Sequence, residues 1–160
     1  MTRAYFRFPT VFQDKIVFTS EDDLWEVGRN GGVARRLTAG RGMLSHPHYS
    51  PDGQWLTFAS AEEGHYEVYV MPSNGGDVKR LTYLGDLSIP CGWQDQNTIL
   101  FSSPAFEAHF VTAICRVDIS GGLPEPLLLG PARGLALSAT GMAVLNRGRS
   151  SMDPAHWKRY

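Results

Sequence analysis

Glu67-Val68-Tyr69-Val70, then Gly75-Gly76, then Arg80-Leu81-Thr82: this run of strand, turn and strand decides the fold, because the chain writes it more than once. Asp23-Leu24-Trp25-Glu26-Val27 with Gly31-Gly32 and Arg36-Leu37-Thr38 comes before it, and Ile114-Cys115-Arg116-Val117-Asp118 with Gly121-Gly122 comes after. The Gly-Gly pairs begin at 31, 75 and 121, spacings of 44 and 46, and the Leu-Thr pairs at 37 and 81 repeat the 44. A period in the forties built of short strands and tight turns is the mark of a β-propeller blade. A chain of 160 residues holds fewer than four such units. The fold class read from this is all-β: a β-propeller segment of about three and a half four-stranded blades in an incomplete ring. The blades fall at roughly 10–40, 44–84, 88–128 and 130–160, the last unfinished.

The second unit is the cleanest. Ser50-Pro51-Asp52-Gly53 is a turn: proline presets φ, the aspartate bonds the backbone ahead of it, and glycine accepts a positive φ. The strand over 54–60 then puts Trp55, Thr57 and Ala59 on one face and Leu56, Phe58 and Ser60 on the other. Bulky apolar residues on both faces predict a blade packed between two neighbours. This strand, with its counterparts over 15–20 and 97–103, is expected to be the inner strand of its blade. An aromatic, β-branched strand over 66–71, the Asn74-Gly75-Gly76 turn and a charged outer strand over 79–82 complete the unit. The fourth unit begins at Gly134, turns at Ala139-Thr140-Gly141 and runs on through 142–146.

Charge and hydropathy exclude several classes of partner. A net charge of −1 gives no electrostatic reason to expect nucleic acid or an acidic membrane surface. The longest apolar runs, such as Leu127-Leu128-Leu129, fall far short of the roughly 20 residues of a membrane-spanning helix. The N-terminus lacks an unbroken apolar stretch of the secretory kind, so the expected location is cytoplasmic. Cys91 and Cys115 are expected to be reduced and buried.

Candidate sites are weighed against their structural alternatives. Ser50, Asp52 and His46 or His48 carry the residue types of a hydrolytic triad, but they sit in and before a turn whose composition has its own explanation. His46 and His48 share a strand face, and two ligands leave a zinc site incomplete. Glu21-Asp22-Asp23 and Glu62-Glu63 lack the spacing of a calcium loop and read as solvated turns. Arg35-Arg36 and Lys79-Arg80 occupy one blade position and read as edge-strand charges. Trp25, Trp55 and Trp93 read as core, and Trp157 falls in a closing loop. No catalytic, cofactor-binding or metal-ligating residue is assigned, and no cofactor is implied.

The pattern of Ser-Pro-Asp-Gly, strand, Tyr-Val, Gly-Gly and Leu-Thr resembles the propeller repeats of Tol-system proteins, dipeptidyl-peptidase-type enzymes and tricorn proteases. Three stretches favour the last: Asp14-Lys15-Ile16-Val17-Phe18 followed by Asp22-Asp23-Leu24-Trp25-Glu26, then Leu127-Leu128-Leu129-Gly130-Pro131-Ala132, and the closing Pro154-Ala155-His156-Trp157-Lys158-Arg159-Tyr160. The chain is similar to part of the N-terminal propeller of tricorn-type serine peptidases. That resemblance implies a six-bladed parent ring in a large cytoplasmic peptidase of short peptides, usually hexameric. Its catalytic residues lie in later domains, and no residue here matches them. The implied role is channel wall, gate and scaffold without catalysis, with the rest of a parent polypeptide or other copies of the chain as partners and peptides in transit. A Tol-type protein-interaction propeller is the alternative.

Overall fold

The computed structural model describes residues 5–106, 111–138 and 142–147, and every regular element among them is a β-strand. The first blade holds β1 (Arg7–Phe12), β2 (Lys15–Ser20), β3 (Asp23–Gly28) and β4 (Arg35–Arg36). The second holds β5 (Leu44–Tyr49), β6 (Trp55–Ser60), β7 (Glu67–Pro72) and β8 (Lys79–Arg80). The third holds β9 (Ile89–Trp93), β10 (Thr98–Ser103), β11 (Ala113–Asp118) and β12 (Glu125–Pro126). A fourth sheet pairs β13 (Gly134–Leu137) with β14 (Ala143–Asn146). Each sheet is an antiparallel meander in chain order. The expected turn at 139–141 and the closing 154–160 stretch with Trp157 lie outside the described residues.

Consecutive blades meet along their first strands: β1 packs on β5, β5 on β9, and β9 on β13. These strands, rather than those over 15–20, 54–60 and 97–103, are therefore innermost. Sequence reading places the axis one strand too far out because β1, β5 and β9 do not look like strands. Each contains a proline (Pro9, Pro47, Pro90) and each breaks register with its neighbour. A left-handed residue accompanies each break: Phe8 at φ 51°, His46 at φ 51° and Gly92 at φ 138°. These are β-bulges, which bend a strand and interrupt the alternation that a sequence search looks for.

The core lies between blades. Leu56, Phe58, Tyr69 and Met71 pack with Val17, Leu24 and Leu44 between the first and second blades. Val68, Val70 and Trp55 turn the other way and meet Ile99, Phe101, Cys115 and Val117 of the third. The two-faced alternation predicted for 54–60 is the one observed. Each fully buried side chain of this kind contributes about 2 kcal/mol of transfer free energy. The turn after β5 is closed by Ser50 and Asp52. Ser50 Oγ donates to Asp52 Oδ1 at 2.6 Å and accepts from Trp55 N at 2.9 Å, while Gln54 N donates to Asp52 at 3.0 Å. Gly53 has φ 72°, and a Cβ there would stand 2.1 Å from the Phe12 ring. Glycine thus serves both the turn and the seating of the second blade on the first.

Candidate functional site

At the end of the arc where the inner strands begin, the three bulged strands enclose a cleft of about 290 Å³. Arg7 and Phe8 enter it from β1, Ser45 and His46 from β5, and Ile89 from β9, with Tyr66 and Leu87 from the loops. The bulges decide which side chains reach it. The Phe8 and His46 rings lie 4.0 Å apart across the boundary between the first and second blades, tilted by 33°. Both residues are left-handed and both precede a proline, so strained backbone is concentrated at the axial opening.

The cleft is mostly apolar and its polar groups are incompletely satisfied. Arg7 Nη2 donates to Asp22 at 3.4 Å, while Arg7 Nε and His46 Nδ1 are buried without a hydrogen-bond partner. Burial holds the His46 imidazole below its ordinary pKa. His48 is lowered further, to about 4, by burial and then by the neighbouring His46, against a hydrogen bond to the Pro90 carbonyl. Both rings are neutral at pH 7. The arrangement can bind and orient a flexible chain through apolar contact and a guanidinium. Ser50 Oγ lies outside the cleft and is committed to its turn. Among the described residues no group of three His, Cys, Asp or Glu side chains could hold a metal ion.

Two acids that read as ordinary loop or strand residues are structural. Asp23, 4% exposed, accepts from Thr38 Oγ1 at 2.8 Å and from Arg36 Nε at 3.1 Å, and Thr38 Oγ1 accepts from Leu24 N at 3.0 Å. Glu67, 0% exposed, accepts from Thr82 Oγ1 at 2.5 Å, Arg80 Nη2 at 3.2 Å and Gly85 N at 2.8 Å. Val68 N completes the set on Thr82 Oγ1 at 2.9 Å. Asp23 is therefore not a solvated turn residue, and Arg36 and Arg80 do more than repel neighbours at an edge. The 44-residue repeat carries the signal, because acid, arginine and threonine recur together at 23, 36 and 38 and at 67, 80 and 82. Trp93, expected in the core, also bridges blades by donating from Nε1 to the His48 carbonyl at 3.1 Å.

Four-stranded meanders stacked around bulged inner strands, with a cleft at the axial end, define this molecule as an arc of a β-propeller. The family model described as the tricorn protease N-terminal beta propeller domain matches residues 3–160. The chain belongs to that family. It is 34% identical over 159 residues to Tricorn protease homolog 1 of Streptomyces coelicolor, covering 98% of this chain and 15% of the relative. A protein of Sulfurisphaera tokodaii named as a putative tricorn-like protease N-terminal subunit is 26% identical, with 99% of this chain and 82% of that protein covered. The crystal structure of the tricorn protease superposes with a TM-score of 0.76 at 24% identity, over 88% of this chain and 15% of the other. The chain thus spans about 15% of the length of Tricorn protease homolog 1.

Proposed function

We propose that this chain forms the wall and gate of an axial passage for peptides in a cytoplasmic tricorn-type serine peptidase, and cleaves no bond itself. The observation that carries this reading is the cleft of about 290 Å³ framed by the three innermost strands, whose bulges hold Phe8 and His46 at the axial opening. A passage for unfolded chains of varied sequence needs apolar contact and few directional groups, and Leu87, Ile89, Tyr66 and the Phe8–His46 stack supply that. The partner is the rest of a parent polypeptide or further copies of the chain. The Sulfurisphaera protein named as an N-terminal subunit supports a propeller that assembles with separate chains. Leu128, Met142 and Val144 are exposed at 101%, 66% and 65%, apolar surface suited to such a contact.

The test is a titration of the isotope-labelled chain with a mixture of short peptides, followed by amide shifts. Changes centred on 7–10, 44–48 and 89 are the expected result, and shifts scattered elsewhere or absent sink the passage. A peptidase assay of the pure chain should be blank. Cleavage of peptide by such material would remove the non-catalytic reading.

A further inference from the structure

The outer rim of the arc carries a second repeat of contacts, this time between blades. Arg35, the first residue of β4, donates from Nη1 to the carbonyl of Asn74 at 2.9 Å. Lys79, the first residue of β8, donates from Nζ to the carbonyls of Ile119 at 3.2 Å and Ser120 at 2.5 Å. Asn74 and Ser120 each stand immediately before a Gly-Gly pair. In both cases, then, a cation at the start of one blade's outer strand reaches the hairpin turn of the next blade. The turn glycines share one conformation, with φ 91° and 136° at Gly75-Gly76 and 98° and 117° at Gly121-Gly122. Only glycine takes successive residues of that sign at low cost. A Cβ on Gly121 would lie 3.8 Å from Lys79 Nζ, so the lysine rests directly on the turn.

We infer that the Gly-Gly turns are acceptor sockets of a blade-to-blade latch whose donors are Arg35 and Lys79, and that the first blade's turn is a socket for a lysine or arginine of the blade that closes the ring. Asn30-Gly31-Gly32 repeats the sequence and the geometry, with φ 87° and 120°, and has open space where the Cβ atoms would be. The first and second blades each give a cation forward, and the second and third each receive one. The first blade's turn alone of the three faces no cation among the described residues, so the occupant that fits is a cation at the first position of an abutting outer strand.

The third blade breaks the rule at its own donor position. Glu125, the first residue of β12, replaces the cation and accepts from Arg116 Nε at 3.0 Å and Nη2 at 2.7 Å within its own blade. A hollow of about 240 Å³ opens beside this pair, against Thr98, Asp118 and Leu123. Among the described residues the third blade therefore offers no cation at this position toward the fourth.

Hydrogen exchange on the full chain tests the latch. Lys79→Met should speed amide exchange over 119–123 by roughly three- to tenfold, and Arg35→Met should do the same over 73–77. Lys79→Arg should restore the slow rates. Thermal unfolding of each variant shows that the fold is retained. Parent-like exchange in both Met variants overturns the latch. The open socket has its own test, a polypeptide that includes the closing blade and carries benzoylphenylalanine at position 30. Photo-capture of a segment whose outer strand begins with lysine or arginine is expected, and capture of an acidic or apolar segment at that position overturns the socket.

Discussion

In the second blade a buried glutamate, an arginine and a threonine tie the outer strand to the strand inside it; in the third blade the equivalent positions are Ala113, Pro126 and Leu128. The backbone is the same in both. Leu81 N donates to Val68 O at 2.8 Å and Leu127 N to Ile114 O at 2.7 Å, so the two-residue outer strand forms with or without the side-chain clasp. What differs is the burial beneath it. Thr82 is 0% exposed whereas Leu128 is 101% exposed, so the second blade closes its outer corner and the third leaves its corner open. Backbone pairing is enough to define a blade, and the buried acid adds rigidity at the corner that faces the axial end.

The clasp is the place where breaking this difference should cost most. Glu67→Ala leaves Arg80 Nη2, Thr82 Oγ1 and Gly85 N without this acceptor, while Arg80 keeps Glu63 and the Thr82 carbonyl, and should destabilise the chain by about 3 kcal/mol in urea denaturation. Ala113→Ser, at the matching site of the third blade, removes no partner and should cost well under that. Equal losses at the two sites would mean that the clasp contributes nothing beyond its volume.

Next in size is an acid sensitivity between pH 4 and 6.5 centred on a histidine of the second blade. His48 stands where the first and third blades have Thr10 and Gly92, and its pKa is lowered to about 4. The unfolded chain binds the proton near the ordinary value of about 6.5, so between that pH and about 4 it holds more protons than the folded chain. Stability is then fully present above pH 6.5 and falls as the pH drops toward 4, by about 2 kcal/mol once partial exposure is discounted. His48→Thr, the first blade's residue, should remove most of that slope between pH 4 and 6.5 and leave the smaller part that the buried His46 supplies. An undiminished slope after the substitution places the sensitivity in another group.

The difference between blades also explains what the sequence discloses. Strands such as Trp55–Ser60 and Glu67–Pro72 obey a two-residue alternation, and the Gly-Gly and Leu-Thr pairs fix their period, so the repeat and the two-faced core are readable directly. The inner strands hide because Phe8-Pro9, His46-Pro47 and Pro90-Cys91-Gly92 break that alternation where the bulges turn side chains toward the axis. The site is concealed for the reason it exists. Asp23 and Glu67 escape notice for another reason: a carboxylate beside an arginine looks like surface until the threonine 15 residues on is seen beneath both.

A milder break is Thr38→Val, which keeps the shape and deprives Asp23 of a donor and Leu24 N of its acceptor. It should cost about 1 to 2 kcal/mol by chemical denaturation, and a loss below 0.5 kcal/mol would show that water replaces the hydroxyl.

The smallest net effect should come from rebuilding the clasp where it is missing. Ala113→Glu alone places a carboxylate at a site that is 2% exposed and shared with the core between the second and third blades, so it should destabilise strongly. Adding Pro126→Arg and Leu128→Thr supplies the donors that Arg80 and Thr82 supply to Glu67. Replacing proline also restores a backbone N–H on the outer strand. A buried, fully bonded charge roughly offsets its desolvation, so the triple variant should return to within about 1 kcal/mol of the parent. The informative quantity is the coupling between the first substitution and the other two, measured as a double-mutant cycle. A large favourable coupling makes the clasp portable between blades, while additive losses tie it to the particular loop that brings Gly85 N onto Glu67.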